Sequence, residues 1–289
     1  MHNTFYQPAG TDTFQATAAS AGPWNPAAQH GGPPSALAGR ALELHEPDDR
    51  QRLARVTVDI LRPIPVTKLT LRTRTVRPGK RVALLETIME ADGQEVLHAR
   101  GWRIALPPGE PALPEEPVPS GEPVLPDEPA LPDEPVLPDE LALPDGPLPP
   151  PIPAEPTAPR FPGGHMDGYM SAIDWRFLAG GGFDDLGPGR AWTRATIPLV
   201  AGEETLPVSR TLLVADSGNG VSAVLDTSRF QFMNVDLTVV LARDPVGEWL
   251  FLDAATTIGG TGAGLADTTL SDRRGPFGKA LQTLLVAPR

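Results

Sequence analysis

Residues 68–76 read Lys-Leu-Thr-Leu-Arg-Thr-Arg-Thr-Val, and their alternation decides the fold. Leu69, Leu71, Thr73 and Thr75 fall on one face of an extended chain, and Thr70, Arg72, Arg74 and Val76 on the other, the period of two that a half-buried strand requires. Pro78-Gly79 turns the chain, Val82 to Met89 returns as a second strand, Asp92-Gly93 turns it again, and Glu95 to Leu106 closes an antiparallel meander. Val56-Thr57-Val58-Asp59-Ile60 begins the β-rich run. Upstream of it, Ser35-Ala36-Leu37-Ala38-Gly39-Arg40-Ala41-Leu42 reads as a helix of small and apolar residues that can lie closely against a curved sheet. The order is helix first, then strands.

The same order recurs further along. Met233-Asn234-Val235-Asp236-Leu237 starts a second β-rich run, and like the first it is followed within a few residues by an Arg and then a Pro. Gly93 precedes Arg100 and leads into Trp102-Arg103-Ile104-Ala105, while Gly275 precedes Gln282 at the same spacing and leads into Leu284-Leu285-Val286-Ala287. Strands are expected over Thr238 to Leu241, Trp249 to Thr257, Gly264 to Ser271 and Gly278 to Val286, with Gly247 and Asp272 to Gly275 as turns. Ser222-Ala223-Val224-Leu225 is expected to be the matching small-residue helix. The chain is therefore read as α+β, with two duplicated units that pair their sheets.

Between the units lies a stretch of different composition. Of the 36 prolines, 20 fall between Pro107 and Pro159, together with 12 of the 36 acidic residues and no Lys or Arg. The remainder holds 24 acidic against 24 basic residues, so the net charge of −12 belongs to this stretch. From Leu125 it reads LPDEPA, LPDEPV, LPDELA and LPDGPL, a tandem repeat whose side chains build no core, so polyproline II or disorder is expected. The layout expected is an N-terminal unit over 1–106, a Pro/Asp/Glu-rich linker over 107–159 and a C-terminal unit over 160–289. Docking of a basic or aromatic-grooved partner on the repeat is the sharper reading, and a solvated connector the plainer one.

Composition excludes several function classes. A balanced remainder with no basic cluster argues against nucleic-acid binding through phosphate neutralisation. No run approaches the roughly 20 apolar residues of a membrane span, and the polar start lacks the features of a signal peptide, so a cytoplasmic protein is expected. With no cysteine, thiolate chemistry and disulfides are absent, and the five histidines show no metal-ligand spacing. Neither a metal nor another cofactor is expected.

His30-Gly31-Gly32-Pro33-Pro34-Ser35-Ala36-Leu37, then Ile60-Leu61-Arg62-Pro63, then Asp92-Gly93-Gln94, resembles the N-terminal half of the acyl-CoA thioesterase II-like family, whose members are double hotdogs. Asn234-Val235-Asp236-Leu237, Gly247-Glu248-Trp249 and the closing Gly275 to Arg289 resemble the second hotdog of the same family. The resemblance implies hydrolysis of medium-chain or bulky acyl-CoA, a place in fatty acid metabolism, no covalent intermediate, and a homodimer. It also implies a site in the second half, where the family has an Asp at the start of its helix, a Thr or Ser on the first long strand and a Gln on the last. The matching residues are Asp216, Asn234 and Gln282, with Asn234 in place of the hydroxyl residue. Arg100 and Thr57 are the expected first-half counterparts of Gln282 and Asn234.

The residue types suit that chemistry. Water attacking a thioester carbonyl needs a base within hydrogen-bond reach and donors aimed at the developing oxyanion. Asp216 is the candidate base. Gly218 and Gly220 after it, and His30, Gly31 and Gly32 in the first half, are candidates for the oxyanion and substrate contacts, while Asn234 and Gln282 would orient the water. Structural readings stand beside these: Asp216 as a helix cap, Gln282 as a satisfied buried amide, Asn234 as a turn residue, His30 as packing. Asp59 and Asp236 read as fold-level residues, Arg62 and Arg243 as phosphate contacts or solvated charges, and the five Trp (Trp24, Trp102, Trp175, Trp192 and Trp249) as core and interface. Two rivals remain: a non-catalytic acyl-CoA-binding module, and a double-hotdog enoyl-CoA hydratase, which needs an Asp/His dyad within one segment.

Overall fold

The computed structural model describes residues 3–106, 147–157, 160–162, 164–178, 181–227 and 229–289. The tandem repeat from Leu125, and with it the expected linker disorder, falls almost wholly outside the described residues. A hairpin of β1 (Tyr6–Gly10) and β2 (Thr13–Ala16) precedes α1 (Gly32–Leu44), followed by β3 (Gln51–Ile60), β4 (Lys68–Arg77), β5 (Val82–Ala91) and β6 (Gln94–Ala105). The second half runs α2 (Tyr169–Ala172), β7 (Ile173–Phe177), β8 (Gly189–Ala195), α3 (Pro207–Ala215) and the single turn α4 (Gly218–Val221). β9 (Phe230–Asn234), β10 (Asp236–Leu241), β11 (Leu250–Ile258), β12 (Ala263–Asp272) and β13 (Gly275–Pro288) complete it.

Among the described residues the thirteen strands form one sheet, in the order β1-β2-β4-β5-β6-β3-β10-β13-β12-β11-β8-β7, with β9 beside β13. The two meanders join at β3 and β10, antiparallel, with Asp59 opposite Asp236 and Arg55 opposite Val240. The Asp236 carboxylate accepts from the backbone N–H of Thr283 at 2.6 Å and from its hydroxyl at 3.1 Å, and so ties β10 to β13. The alternation that opened the sequence holds: Leu69 and Leu71 are buried while Arg72 and Arg74 face solvent.

The two long helices pack on each other inside the sheet. Gly32 and Gly39 allow it, because a Cβ on Gly32 would collide with the Leu213 carbonyl oxygen and one on Gly39 with the Leu212 side chain. Buried Arg103 seals the end of α1. Its guanidinium donates to the carbonyls of Leu42 (2.7 Å), Glu43 (3.0 Å), His45 (2.7 Å) and Glu46 (2.8 Å), groups that a helix C-terminus leaves without partners. Residues 147–157 lie along the second half, where Trp192 donates to Pro150 O at 2.8 Å and Arg176 to Pro153 O at 2.8 Å.

Three expectations need correction. Ser222 to Leu225 is not a helix: the second-half helix is α3, seven residues or more earlier, and Ser222 turns its hydroxyl back to Gly218 O at 2.8 Å as the chain leaves α4. Asp216 is consequently the C-cap of α3 and does not open the long helix. Arg100 and Thr57 pair with each other on the outward face of β6 and β3, whereas Gln282 is buried and Asn234 lies on β9, so the two are not the counterparts of the second-half pair. In addition β1, β2, β7 and β8 extend the sheet beyond the expected strands.

Candidate active site

The chain reaches Asp216 through a helix that stops. Pro207 sits in the first turn of α3, Val208, Thr211, Leu212 and Ala215 are buried along it, and at Asp216 the chain bends into Ser217 and restarts as α4. Gln282 holds the bend. Wholly buried on β13, its Nε2 donates to Asp216 O at 2.9 Å and its Oε1 accepts the Asn219 N–H at 3.0 Å. Gly218 packs against this amide, and a Cβ there would lie 3.1 Å from Gln282 Oε1.

The Asp216 side chain, 3% exposed, is held from two sides. Asn234 Nδ2 donates to Oδ1 at 2.7 Å and also reaches Asp236 O at 3.1 Å. Asn234 is placed there by the break between β9 and β10 at Val235, which turns its side chain inward while Met233 stays exposed. From the first half, His30 Nδ1 approaches Oδ2 at 3.1 Å. Gly31 carries no side chain at this contact, where a Cβ would lie 2.7 Å from Oδ2.

His30 is fixed in turn. Its ring stacks on Tyr169 with centroids 3.8 Å apart and planes at 8°, and the Gly32 N–H points to Nδ1 at 3.1 Å. The Tyr169 hydroxyl donates to Leu213 O at 2.9 Å and meets Ser217 Oγ at 2.8 Å. Burial pushes the Tyr169 phenol far up, so it stays neutral; the Ser217 hydrogen bond opposes that shift. Burial likewise holds the His30 imidazole below its ordinary value, against the opposing pull of the Asp216 carboxylate.

These groups open into a cleft of about 200 Å³ that both halves line. Its apolar wall includes Trp24, Ile60 and Ile64 from the first half and Phe161, Phe183 and Phe232 from the second. Asp216, Asn234, Gly31 and Gly220 line it as well, whereas Gly32 and Gly218 serve packing behind it. Trp24, expected in the core or an interface, lies 44% exposed in this cleft between the halves. Arg243 is committed to buried Asp272, which it grips at 2.6 and 2.7 Å, and Arg62 donates to Gln94 Oε1 at 2.6 Å. Among the described residues no three His, Asp or Glu side chains converge as a metal set, and no helix is long and apolar enough to cross a membrane. Sequence reasoning did not foresee the pairing of His30 with Asp216 or the aromatic walls, since their residues come from separate halves.

A continuous antiparallel sheet wrapped on packed helices, with a buried carboxylate facing an apolar cleft and no metal set beside it, defines a hotdog-type site able to work on an acyl group. The acyl-CoA thioesterase N-terminal domain family matches residues 20–104 and the acyl-CoA thioesterase C-terminal domain family residues 144–286, so the chain belongs to the acyl-CoA thioesterases and hydrolyses thioesters of acyl-CoA. No curated protein matched by sequence. Solved structures are similar over nearly the whole length. One is a protein of Thermobifida fusca assigned as a thioesterase II, at 15% identity and a TM-score of 0.67, covering 99% of this chain and 96% of that one. A hot dog-fold protein of unknown function from Alicyclobacillus acidocaldarius shows 18% identity and a TM-score of 0.62, covering 99% and 96%. An acyl-CoA thioesterase II of Mycobacterium marinum shows 13% and 0.58, covering 98% and 95%. At these identities the structures establish the shared hotdog fold.

Proposed function

We propose that hydrolysis takes place in the cleft between the halves, by direct attack of a water whose proton Asp216 accepts. The observation that carries this reading is the setting of Asp216: a carboxylate 3% exposed, lining the cleft, with Oδ1 oriented by Asn234 and its backbone pinned by Gln282. Asn234 takes the place of a hydroxyl residue without loss of a donor to the carboxylate. The Gly31 N–H, which meets no acceptor among the described residues, and Gly220 on the opposite wall supply the oxyanion contacts. Gln282 and Asn234 hold the base and the water in register.

The proposed organisation is two fused hotdogs, 1–106 and 160–289, with the acidic stretch 107–159 as their connector. We place the protein in the cytoplasm as a homodimer, a state supported by the apolar outer face of the second half, where Leu265, Leu281 and Leu285 stand exposed. Light scattering tests the dimer. The function is tested on a panel of acyl-CoAs from short to long and branched chains, with the released thiol detected. Asp216→Asn is expected to lower kcat by roughly 10² to 10⁴ with KM little changed, the share of a positioned base. Retained turnover removes Asp216 from this role.

A further inference from the structure

The mechanism above leaves one titratable side chain of the cleft lining, His30, unused. His30 lies on the first half and Asp216 on the second, yet Nδ1 and Oδ2 stand 3.1 Å apart. The ring is clamped by the Tyr169 stack on one face and by the turn into α1, and it lines the cleft with only 15% of its side chain exposed. A histidine kept only for packing has no need to spend a ring nitrogen on the carboxylate of another domain.

Hydrogen-bond bookkeeping at Nδ1 sharpens this. The nitrogen has one in-plane position, and two neighbours seek it: the Gly32 N–H at 3.1 Å, which needs a bare nitrogen, and Asp216 Oδ2, which needs a proton between itself and the ring. If Nδ1 is bare, the carboxyl must carry the proton. If Nδ1 is protonated, it donates to Oδ2 and the Gly32 N–H loses its acceptor. Either arrangement leaves one proton between His30 and Asp216. The other groups facing the ring do not supply it, because the Tyr169 phenol is locked neutral by burial and Ser217, Asn234 and the α1 turn bring no charge. Gly31 is placed so that nothing separates the two.

The geometry points to His30 as the positioning residue of Asp216: the two hold a single proton between Nδ1 and Oδ2, and this pair, assembled from both halves, is the base of the reaction. This rests on the assignment of Asp216 above. The cycle starts with Asp216 ionised and the shared proton on Nδ1. As the water oxygen bonds to the thioester carbon, its O–H bond breaks and the proton passes to Asp216, while the carbonyl π pair becomes the oxyanion. Collapse re-forms the carbonyl and breaks the C–S bond, and the departing thiolate takes the proton from Asp216. Water and thioester have become acid and thiol, and the pair ends with the one proton it began with.

The experiment is a pH profile of kcat for wild type, His30→Phe, which keeps the ring on Tyr169 but deletes both nitrogens, and His30→Gln, which retains one amide donor. We expect His30→Phe to lower kcat by about tenfold to a hundredfold at unchanged KM and to move the acid limb of the profile, with His30→Gln recovering part of the rate but not the limb. The double variant with Asp216→Asn should be no slower than Asp216→Asn alone, because two members of one unit are lost only once. Wild-type kcat and limb in His30→Phe, or losses that multiply in the double variant, overturn the pairing. Should His30→Phe fail to fold, an unchanged limb in His30→Gln overturns it equally. Full activity in Asp216→Asn would instead strike the assignment of the base.

Discussion

The two helices at the centre of the molecule end in opposite ways. α1 runs unbroken for 13 residues and its last carbonyls are gathered by a buried cation, Arg103. α3 stops after 9 residues, and its last carbonyls are taken by neutral donors, Tyr169 on Leu213 O and Gln282 on Asp216 O. A guanidinium beside Asp216 would favour the ionised carboxylate and weaken its hold on a proton, whereas an amide and a phenol satisfy the helix end without that effect. One half is closed for stability and the other left open for chemistry. The closed half still reaches into the open one, because the turn ahead of α1 delivers His30 and Gly31 to Asp216.

That contrast can be broken at its strongest point first. Arg103→Gln gives α1 the kind of cap that α3 has, but one amide cannot serve four carbonyls, and stability should drop by about 2 to 4 kcal/mol in urea unfolding. A change under about 0.5 kcal/mol would mean that water caps α1 as well as the arginine does. Next in size is Gly32→Ala, whose new Cβ meets the backbone oxygen of Leu213, so the helices must separate. A loss of about 1 to 3 kcal/mol is expected, with a fall in kcat as the His30 turn moves off Asp216; unchanged stability would show that the close approach is not needed.

The smallest effect lies at the other end of the helix pair. Glu43 of α1 accepts from Ser209 Oγ at 2.7 Å at the start of α3, and burial pushes its carboxyl up to about 7 despite that bond. Because the folded state then keeps a proton that the unfolded chain has already released, the stability that Glu43 contributes is greatest below pH about 4.5, falls as pH rises from there towards 7, and is level above. Glu43 is only partly buried, so the drop should be about 1 kcal/mol. Glu43→Gln should flatten it, read as the difference in unfolding midpoint between pH 5 and pH 8. An equal slope in both proteins would place the titration elsewhere.

Much of this architecture is legible in single stretches of sequence. The alternation at 68–76 and the turns at Pro78-Gly79 and Asp92-Gly93 place β4 to β6 within about two residues, and the small residues at 35–42 place α1. α3 was missed because it has only nine residues, between two and three turns, with Ser209, Arg210 and Thr211 interrupting its apolar positions, so little beyond Pro207 marks it in the sequence. β7, at the edge of the sheet, and β8 beside it are strands of five and seven residues, too short for their period to stand out. Asp216, Asn234 and Gln282 could be named from the resemblance, and they do meet; yet the Asp216 to His30 contact depends on how two duplicated halves dock, which no local pattern records.

The seam carries a further consequence, one of timing. β3 needs β10 on its open side, and the N–H groups of Phe5 and Tyr6 find their acceptors only at Pro198 and Leu199. At about 5 to 20 residues per second, a ribosome that has released β6 takes on the order of ten seconds to supply β10. For that interval the nascent first half holds an exposed strand edge, the state in which strands find wrong partners, and the acidic stretch is what emerges while it waits.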